Sequence, residues 1–472
     1  MRTTAPMTFA PPVPVPPAHP LPLRPFLRAI RENALTIWPE AAYRDEHMTR
    51  HFLGRVTVLL NTPEAIHHVL VEHHARYRRS PASVRILRPI TGQGLLLSEG
   101  EAWRLQRRTI APALAPRVIP LLCRHILAAT EEALDQITDQ PADLLGFMRS
   151  LALDIAGRSM FSLETRHHGA ALRRLLDEFA ERFAQPHLLD MLLPPSIPTP
   201  RDWARARFSK RWMRLIETMM AERLAVPLDG DKPRDVFDLL RAARDPETGA
   251  GFSPAELRDQ IATMILAGHE TTAVTLFWAC ALLSQCGETQ DRIAAEASGL
   301  DLTAEDALAR LVHTTAVVNE TLRLFPPAFT VVREAIAPDR IGALDLPRRA
   351  VVMIAPWVLH RHHAFWRDPA VFDPSRFLPG APPPPRFAFM PFGAGPRICV
   401  GARFAMAEAV LVLASLVRRF HVARVEERPI LPVAVVTTQP DHAALFTLAR
   451  RAPPHPITTA GVFSAAIPYR II

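Results

Sequence analysis

Residues 392–401 read FGAGPRICVG, and a single cysteine, Cys399, stands between the glycines of this stretch. Gly393 and Gly395 permit a tight loop with close backbone approach. An amphipathic segment, residues 402–420, follows directly, and free N–H groups at a helix start stabilise a thiolate. Arg397 places a cation nearby. A lone cysteine is more often a buried apolar side chain, but these surroundings favour a thiolate ligand.

The composition of the chain is that of a folded protein with a large core. Hydrophobic residues make up 49% and charged residues 22% of the 472 residues, which is ordinary globular usage. The net charge of +8 comes from scattered arginines, so no nucleic-acid partner is expected. The four cysteines form no C-x-x-C pair, which favours a reducing compartment. We expect a cytoplasmic protein without a membrane span, because no apolar run approaches about 20 residues.

The chain is predicted to form three segments. Residues 1–21 are rich in proline and are expected to be a disordered leader. Residues 22–451 are expected to form a single domain, and residues 452–472 a peripheral tail. Near the start of the domain, residues 54–60 have the composition of a strand. Thr62 or Asn61 then caps a helix that has Pro63 at its first position.

A long helix is predicted from Pro254 to about Ser284. Ser253 and Glu256 form a capping box at its start, and its apolar character on nearly all sides predicts burial. Its middle reads AGHETT, residues 267–272. A zinc motif H-E-x-x-H is excluded because residue 273 is alanine. Two interpretations stay open, a purely structural helix and a loosened turn that carries a proton path.

Further arginines occur at informative spacings. Trp103 and Arg107 are four residues apart and share a helix face, where they could bind a carboxylate. The alternative is a buried tryptophan beside a solvated arginine. Glu320 and Arg323 can pair on another helix, although an isolated pair of this kind is usually solvated and weak. Arg333 lies in a predicted strand.

Histidines cluster at several places in the chain. The pairs are His67-His68, His73-His74 and His167-His168, and residues 360–363 read HRHH. Adjacent histidines do not converge well on one ion, so polar loops are the favoured interpretation of all four clusters.

Taken together, these motifs resemble those of cytochrome P450. The family's haem loop has the pattern F-x-x-G-x-R-x-C-x-G, which matches Phe392, Gly395, Arg397, Cys399 and Gly401. Four more motifs match in the right order: AGHETT at 267–272, E-x-x-R at 320–323, the arginine at 376, and W-x-x-x-R at 103–107. The resemblance covers about Pro22 to Arg451. It implies a mainly α fold with small β-sheets and a long central helix over a buried haem.

The resemblance also implies roles for individual residues. Cys399 would be the axial ligand of haem b. The remaining cofactor-binding residues would be Arg397, Arg107, Trp103, Arg333, Phe392 and Gly393. Oxygen activation would rest on Gly268, Glu270, Thr271 and Thr272. The set Glu320, Arg323 and Arg376 would be structural. Substrate contacts, assigned by offset from the motifs, would come from Ile265, Ala267, Phe329 and Thr437.

The implied activity is that of a soluble, bacterial-type monooxygenase. It would insert one atom of O₂ into a small apolar organic substrate, as a monomer. Electrons would come from a separate ferredoxin- or flavodoxin-type protein with its reductase. A peroxygenase or rearranging enzyme of the same fold, and a non-enzymatic haem sensor, remain as alternatives. The proline-rich segment 379–385 departs from the family pattern and puts the shape of the docking face in doubt.

Overall fold

The computed structural model describes residues 9–52, 54–162, 168–193, 196–227 and 233–452. Helices make up about 54% of it, which confirms the prediction of a mainly α protein. The α-helices are α1 (Leu23–Glu32), α2 (Pro63–His67), α3 (Pro81–Thr91), α4 (Gly100–Ile110), α5 (Ile119–Asp135), α6 (Leu144–Phe161), α7 (Gly169–Arg182), α8 (Leu188–Leu192), α9 (Pro200–Ala225), α10 (Val236–Ala242), α11 (Pro254–Leu283), α12 (Gly287–Ser298), α13 (Ala307–Arg310), α14 (Val312–Leu324), α15 (Pro356–Leu359) and α16 (Ala402–Arg419).

The strands form small sheets beside the helical core. They are β1 (His47–Phe52), β2 (Arg55–Leu60), β3 (Tyr77–Arg79), β4 (Ala142–Asp143), β5 (Val331–Ala335), β6 (Asp339–Ile341), β7 (Leu344–Leu346), β8 (Val351–Ile354), β9 (Phe420–Arg424), β10 (Pro432–Ala434), β11 (Thr438–Pro440) and β12 (Leu445–Arg450). A five-stranded sheet has the order β1-β2-β8-β5-β3, in which β2 and β8 are parallel. A three-stranded sheet has the order β4-β12-β9, and β6-β7 and β10-β11 are two-stranded.

Helix α11 is the centre of the fold. Its first turn closes as predicted: the Glu256 N–H donates to Ser253 Oγ (3.3 Å), and the Ser253 N–H donates to Glu256 Oε2 (2.9 Å). The helix then continues for 30 residues, most of them buried. It packs against α6, α16, α14, α3 and α9. A helix with apolar side chains on all sides is stable only when it is buried away from water, which explains why the other helices surround it.

Local predictions near the N-terminus of the domain are confirmed. The predicted strand is β2, and Thr62 accepts a hydrogen bond from the Ala65 N–H (3.3 Å) at the start of α2, which has Pro63 at its first position. Near the C-terminus, residues 435–437 connect β10 to β11 in a tight antiparallel hairpin.

The predicted disordered leader is wrong for residues 9–21. Phe9 pairs with Phe372, its carbonyl accepting from the Phe372 N–H (2.9 Å) and the two rings lying 5.7 Å apart. Val13 and Leu21 pack against the main core. Apolar side chains between the prolines thus hold this segment on the domain. Residues 1–8, and 453–472 of the predicted tail, lie outside the described residues.

One described helix, α11, is long and apolar enough to cross a membrane by length and composition. A second candidate arises only if α4 and α5 with the turns between them are counted as one bent span. Most of α11 is buried inside the protein, as expected for the core helix of a large domain.

Candidate functional site

The loop before α16 holds Cys399 in a fixed position. The Cys399 N–H donates to the Phe392 carbonyl (2.9 Å), which closes the loop. Gly393 and Gly395 have φ angles of +77° and +70°, a region that favours glycine. A Cβ at Gly395 would also collide with the carbonyl oxygen of Leu70. Gly393 and Gly395 are therefore required by backbone conformation, and Gly395 also by the close approach of Leu70.

The thiol of Cys399 is exposed, although the loop that carries it lies against the fold. Surrounding protein atoms raise the pKa of the thiol, while the Gly401 N–H and Arg107 act in the opposite direction. The sequence predicted a thiolate favoured by the helix start and by Arg397. The helix start does contribute through Gly401, but the stabilising cation is Arg107. A metal ion at the sulfur would shift the balance, since a coordinating thiol is deprotonated.

Helix α4 brings Trp103 and Arg107 to the cysteine loop. Arg107 Nη1 donates to the carbonyl of Ile398 (2.8 Å), the residue before Cys399. The Arg397 guanidinium lies 4.4 Å from the centre of the buried Trp103 ring, a cation–π distance. The spacing of four residues therefore places both α4 side chains on the loop, one through a hydrogen bond and one through ring contact.

Arg397 also lies near two further guanidinium groups beside the loop. Arg79 of β3 lies directly opposite Arg333 of β5, and both are repelled by Arg397. Burial, and then this repulsion, lowers the pKa of Arg79 to about 9 and that of Arg333 to about 10. Glu99 is the carboxylate that opposes the shift in all three arginines. Like charges opposite each other destabilise a sheet, so this cluster is built for an additional anion.

Arg79 was not predicted as a site residue. Its Nε is buried and has no hydrogen-bond partner among the described residues, which is costly unless a ligand supplies one. No motif marks this arginine in the sequence, and only the pairing of β3 with β5 brings it to Arg333.

The middle of α11 is where this buried helix becomes accessible. Ala267 is exposed, and Gly268 and Thr271 are half-buried. A Cβ at Gly268 would meet no atom within 4 Å, so the glycine leaves open space beside the helix. The Thr271 hydroxyl donates to the Ala267 carbonyl (2.7 Å). The predicted return bond to the preceding turn is therefore present.

Glu270 points to neighbouring elements and not to Thr271. Arg149 of α6 binds its carboxylate through two hydrogen bonds, of 2.7 and 3.0 Å. Gln439 Nε2 donates to Glu270 Oε1 (2.8 Å), and the Thr437 hydroxyl lies 3.5 Å from the same oxygen. Burial alone would lower the pKa of Arg149, but the bond with Glu270 raises it. Arg149 and Gln439 were not predicted, because their positions depend on packing between distant segments.

Glu408 links the helix of the cysteine loop to the helix of the threonines. It lies on α16 and is 1% exposed, and its Oε1 has no hydrogen-bond partner among the described residues. Burial raises the pKa of its carboxyl group well above the usual range, and a hydrogen bond with Thr272 of α11 opposes this only in part. Cys399 lies three residues before α16, and α16 packs against α11. Spacing alone gives no sign of it.

Glu320 and Arg323 form a fully buried pair, as the resemblance implied. Arg323 donates twice to the Glu320 carboxylate, both at 2.7 Å, and also to the carbonyls of Pro369 (2.7 Å) and Val371 (2.8 Å). Arg376 Nε lies 3.6 Å from Glu320 Oε1. The pair thus anchors the segment 369–376 to α14, and its environment is the reverse of the solvated pair that spacing alone suggested.

The HRHH segment is a loop after α15, as predicted, but His360, Arg361 and His362 are buried in it and only His363 of the four is exposed. His360 Nδ1 donates to the Arg323 carbonyl (3.2 Å), and its Nε2 accepts from the Met390 N–H (3.0 Å). Burial, then repulsion from Arg323 and Arg361, lowers the pKa of His360 to about 3. The neutral ring thereby connects α14 to the chain that leads into the cysteine loop.

The four predicted substrate residues are not equivalent. Ala267 is exposed at the accessible turn of α11, and Thr437 joins the Glu270 network. Ile265 and Phe329 are buried in the main core. A cavity of about 750 Å³ lies elsewhere, between α5, α6 and α7, and its lining includes Phe147, Arg158 and Phe446 but none of the predicted site residues.

Comparisons with known proteins identify the family. The cytochrome P450 family model matches residues 19–445. Cyclooctatin synthase of Streptomyces melanosporofaciens is 33% identical over 380 residues, 78% of this chain and 81% of its own. A cytokinin hydroxylase of Arabidopsis thaliana is 28% identical over 408 residues, 82% of this chain and 78% of its own. The crystal structure of the cytochrome P450DA haem domain has a TM-score of 0.75 at 22% identity, covering 94% of this chain and 99% of that one. Retinoic acid-bound cyanobacterial CYP120A1 has a TM-score of 0.73 at 24% identity, covering 86% and 92%.

The chain belongs to the cytochrome P450 family of haem-thiolate monooxygenases, which bind haem b through a cysteine. The predicted fold is confirmed by the structural matches. The described residues fit the cofactor: an exposed thiol, a glycine-built loop, and a surplus of buried guanidinium groups beside it. The unpartnered Nε of Arg79 is suited to a propionate carboxylate.

Proposed function

We propose that this protein is a soluble, bacterial-type P450 that uses Cys399 as its axial ligand and hydroxylates an apolar organic compound. The observation that carries the proposal is the packing of α11, with its accessible turn, against α16, the helix that begins three residues after Cys399. Bound haem would supply the oxidising chemistry, with the Cys399 thiolate as its protein ligand.

Arginines hold the propionates in this proposal. Arg79, Arg107, Arg333 and Arg397, with Trp103 packed beneath Arg397, would bind the two carboxylates. Charge-assisted bonds of this kind are stronger than neutral ones. The guanidinium groups of Arg79 and Arg333 are shielded from solvent and repelled by Arg397, which favours an anionic partner over solvent. Phe392 and Gly393 would shape the loop that holds the cofactor.

Thr271 and Glu270 would manage protons. Because the Thr271 hydroxyl donates to Ala267, its lone pairs are left to accept a hydrogen bond from a water molecule beside α11. Glu270 is held by Arg149 and Gln439, so it would pass a proton towards Thr271 only after leaving that network. Thr272, tied to Glu408, would position the turn.

The substrate and partners follow from the same site. Ala267 and Thr437 would lie nearest the substrate, with Ile265 and Phe329 behind them. One relative is named for the 5-monooxygenation of cyclooctat-9-en-7-ol, which fits a cyclic, largely apolar substrate. We infer that the protein is a cytoplasmic monomer that receives electrons from a separate ferredoxin- or flavodoxin-type protein with its reductase.

Isotope labelling tests the activity. The holoenzyme is supplied with a ferredoxin, its reductase and ¹⁸O₂, together with an apolar compound selected because it shifts the ferric Soret band. One ¹⁸O atom per product is expected. Oxygen derived from peroxide or water, or product without added electrons, would favour the peroxygenase or rearranging alternative. Haem binding without any turnover across such compounds would favour the sensor.

Thr271→Ala tests the proton role. The variant should keep the cofactor but convert less of the consumed reductant into product, because a hydrogen-bond acceptor is lost. Thr275→Ala is the matched control, since Thr275 makes the same return bond (2.8 Å to the Thr271 carbonyl) one turn later. Equal coupling in the two variants would contradict the proposed role.

A further inference from the structure

The segment after α2 forms one π-helical turn, His68–Glu72. The His73 N–H donates to the His68 carbonyl (2.9 Å), five residues back. In an α-helix, residues five apart point about 140° away from each other. A π-turn closes its bond between residues five apart and therefore places them one above the other. The His68 and His73 rings are accordingly 4.3 Å apart.

The turn brings together histidines that were predicted to lie in polar loops. The adjacent pairs His67-His68 and His73-His74 do not converge by themselves. His68 and His73, one from each pair, do come together with Glu72. One donor atom each from His68, Glu72 and His73 lie within 4.8 Å of one another. The sequence pattern H-x-x-x-E-H does not reveal this, because α-helical spacing would separate its two ends.

Asp339 supports the cluster from behind. Its Oδ2 lies 2.9 Å from His68 Nε2 and accepts from the Tyr77 hydroxyl (2.6 Å), and its Oδ1 accepts from Arg76 (3.3 Å). A carboxylate bonded to one nitrogen of a histidine fixes the ring and leaves the other nitrogen for a metal.

The turn is in contact with the cysteine loop. Leu70 belongs to the turn, and its carbonyl oxygen is the atom that excludes a side chain at Gly395. His74 follows directly, with its ring 6.3 Å from that of Trp103. An ion bound at the turn would therefore brace the segment on which the loop rests.

We propose that His68, Glu72 and His73 form a site for a divalent transition metal, with Asp339 orienting His68. Two imidazoles and one carboxylate suit Zn²⁺ and its neighbours and do not suit Mg²⁺ or Ca²⁺, which prefer oxygen ligands. Glu72 is exposed, which leaves access from solvent. The competing arrangement is an ordinary ion pair, since His67 Nδ1 lies 3.3 Å from Glu72 Oε1.

Titration of the holoenzyme with Zn²⁺, followed by calorimetry, tests the site. One tight site is expected, and Mg²⁺ should not compete. His68→Ala and His73→Ala should each weaken binding at least ~10-fold, as should Asp339→Asn through the ring it orients. His51→Ala, which removes an exposed histidine of β1, should bind as the wild type does. Circular dichroism and the Soret band show whether each variant is folded and loaded.

Zinc-edge X-ray absorption of the one-to-one complex provides the second readout. Two imidazole nitrogens at about 2.0–2.1 Å are expected in the wild type and one in His73→Ala. Absence of a tight site, equal Zn²⁺ affinity in all variants, or a sulfur ligand in the spectrum would overturn the proposal. Equal loss in His51→Ala would show binding spread over surface histidines and would also overturn it.

Discussion

Replacing Glu408 by glutamine should stabilise the protein at neutral pH and do so less as the pH falls. The carboxyl group is 1% exposed, and one of its oxygens has no partner among the described residues. Burial raises its pKa well above the usual range. The folded protein therefore keeps a proton that the unfolded chain loses above the ordinary glutamate pKa of about 4.3.

The sign and size follow from proton linkage. Because the folded state binds more protons, wild-type stability from this group is fully present below the unfolded pKa and falls as the pH rises towards the folded pKa. The slope is about 1.4 kcal/mol per pH unit in this window. Glutamine does not titrate, so the free energy of unfolding of Glu408→Gln minus that of the wild type should rise by about 1.4 kcal/mol per pH unit from about pH 5 upward.

Denaturant unfolding of both holoenzymes at pH 5, 6 and 7, at equal haem loading, measures this difference. The infrared band of a protonated carboxylic acid should also be present in the wild type and absent from the variant. Glu305→Gln, an exposed position, controls for the substitution and should change stability by at most about 0.5 kcal/mol. A difference that stays flat with pH, or that falls as the pH rises, would refute the assignment of a neutral, buried Glu408.

Two further substitutions test the arginines. Arg79→Gln should weaken haem retention by about 1.5–3 kcal/mol, the value of a hydrogen bond to a charged group. Haem should then transfer to an apoprotein acceptor roughly 10- to 100-fold faster than from the wild type. Arg78→Gln, whose side chain pairs with Glu334 instead, should not have this effect, and equal effects of the two substitutions would contradict the propionate role. Arg323→Ala should lower the free energy of unfolding by about 3–5 kcal/mol, because it leaves a buried carboxylate without its partner. Arg310→Ala, which breaks an exposed pair, should lower it by about 0–1 kcal/mol. Similar losses in the two variants would show that the buried pair is dispensable.

The sequence was sufficient to predict features that form between residues a few positions apart. Ser253 and Glu256 cap α11 because a capping box is closed within one turn. The loop around Cys399 was recognisable because Gly393 and Gly395 adopt backbone conformations that favour glycine. The family resemblance then supplied the fold, which composition alone left open between one and several domains.

The residues that were missed are set by tertiary packing. Arg149 and Gln439 reach Glu270 from segments more than 100 positions away, and Glu408 meets Thr272 only because α16 packs on α11. The spacing of residues along the chain does not indicate such partners. The prediction of a disordered leader failed for a related reason. A proline-rich composition predicts an extended chain, but it does not show that Phe9 packs against the ring of Phe372.

The central claim is that Cys399 is the axial thiolate, and the carbon monoxide difference spectrum of the reduced holoenzyme tests it most directly. The wild type should show the strongly red-shifted Soret band of a thiolate-ligated haem. Cys399→Ser should lose that band, while Cys123→Ser, a cysteine of α5, should keep it. Retention of the band in Cys399→Ser, or its absence from the wild type, would contradict the claim.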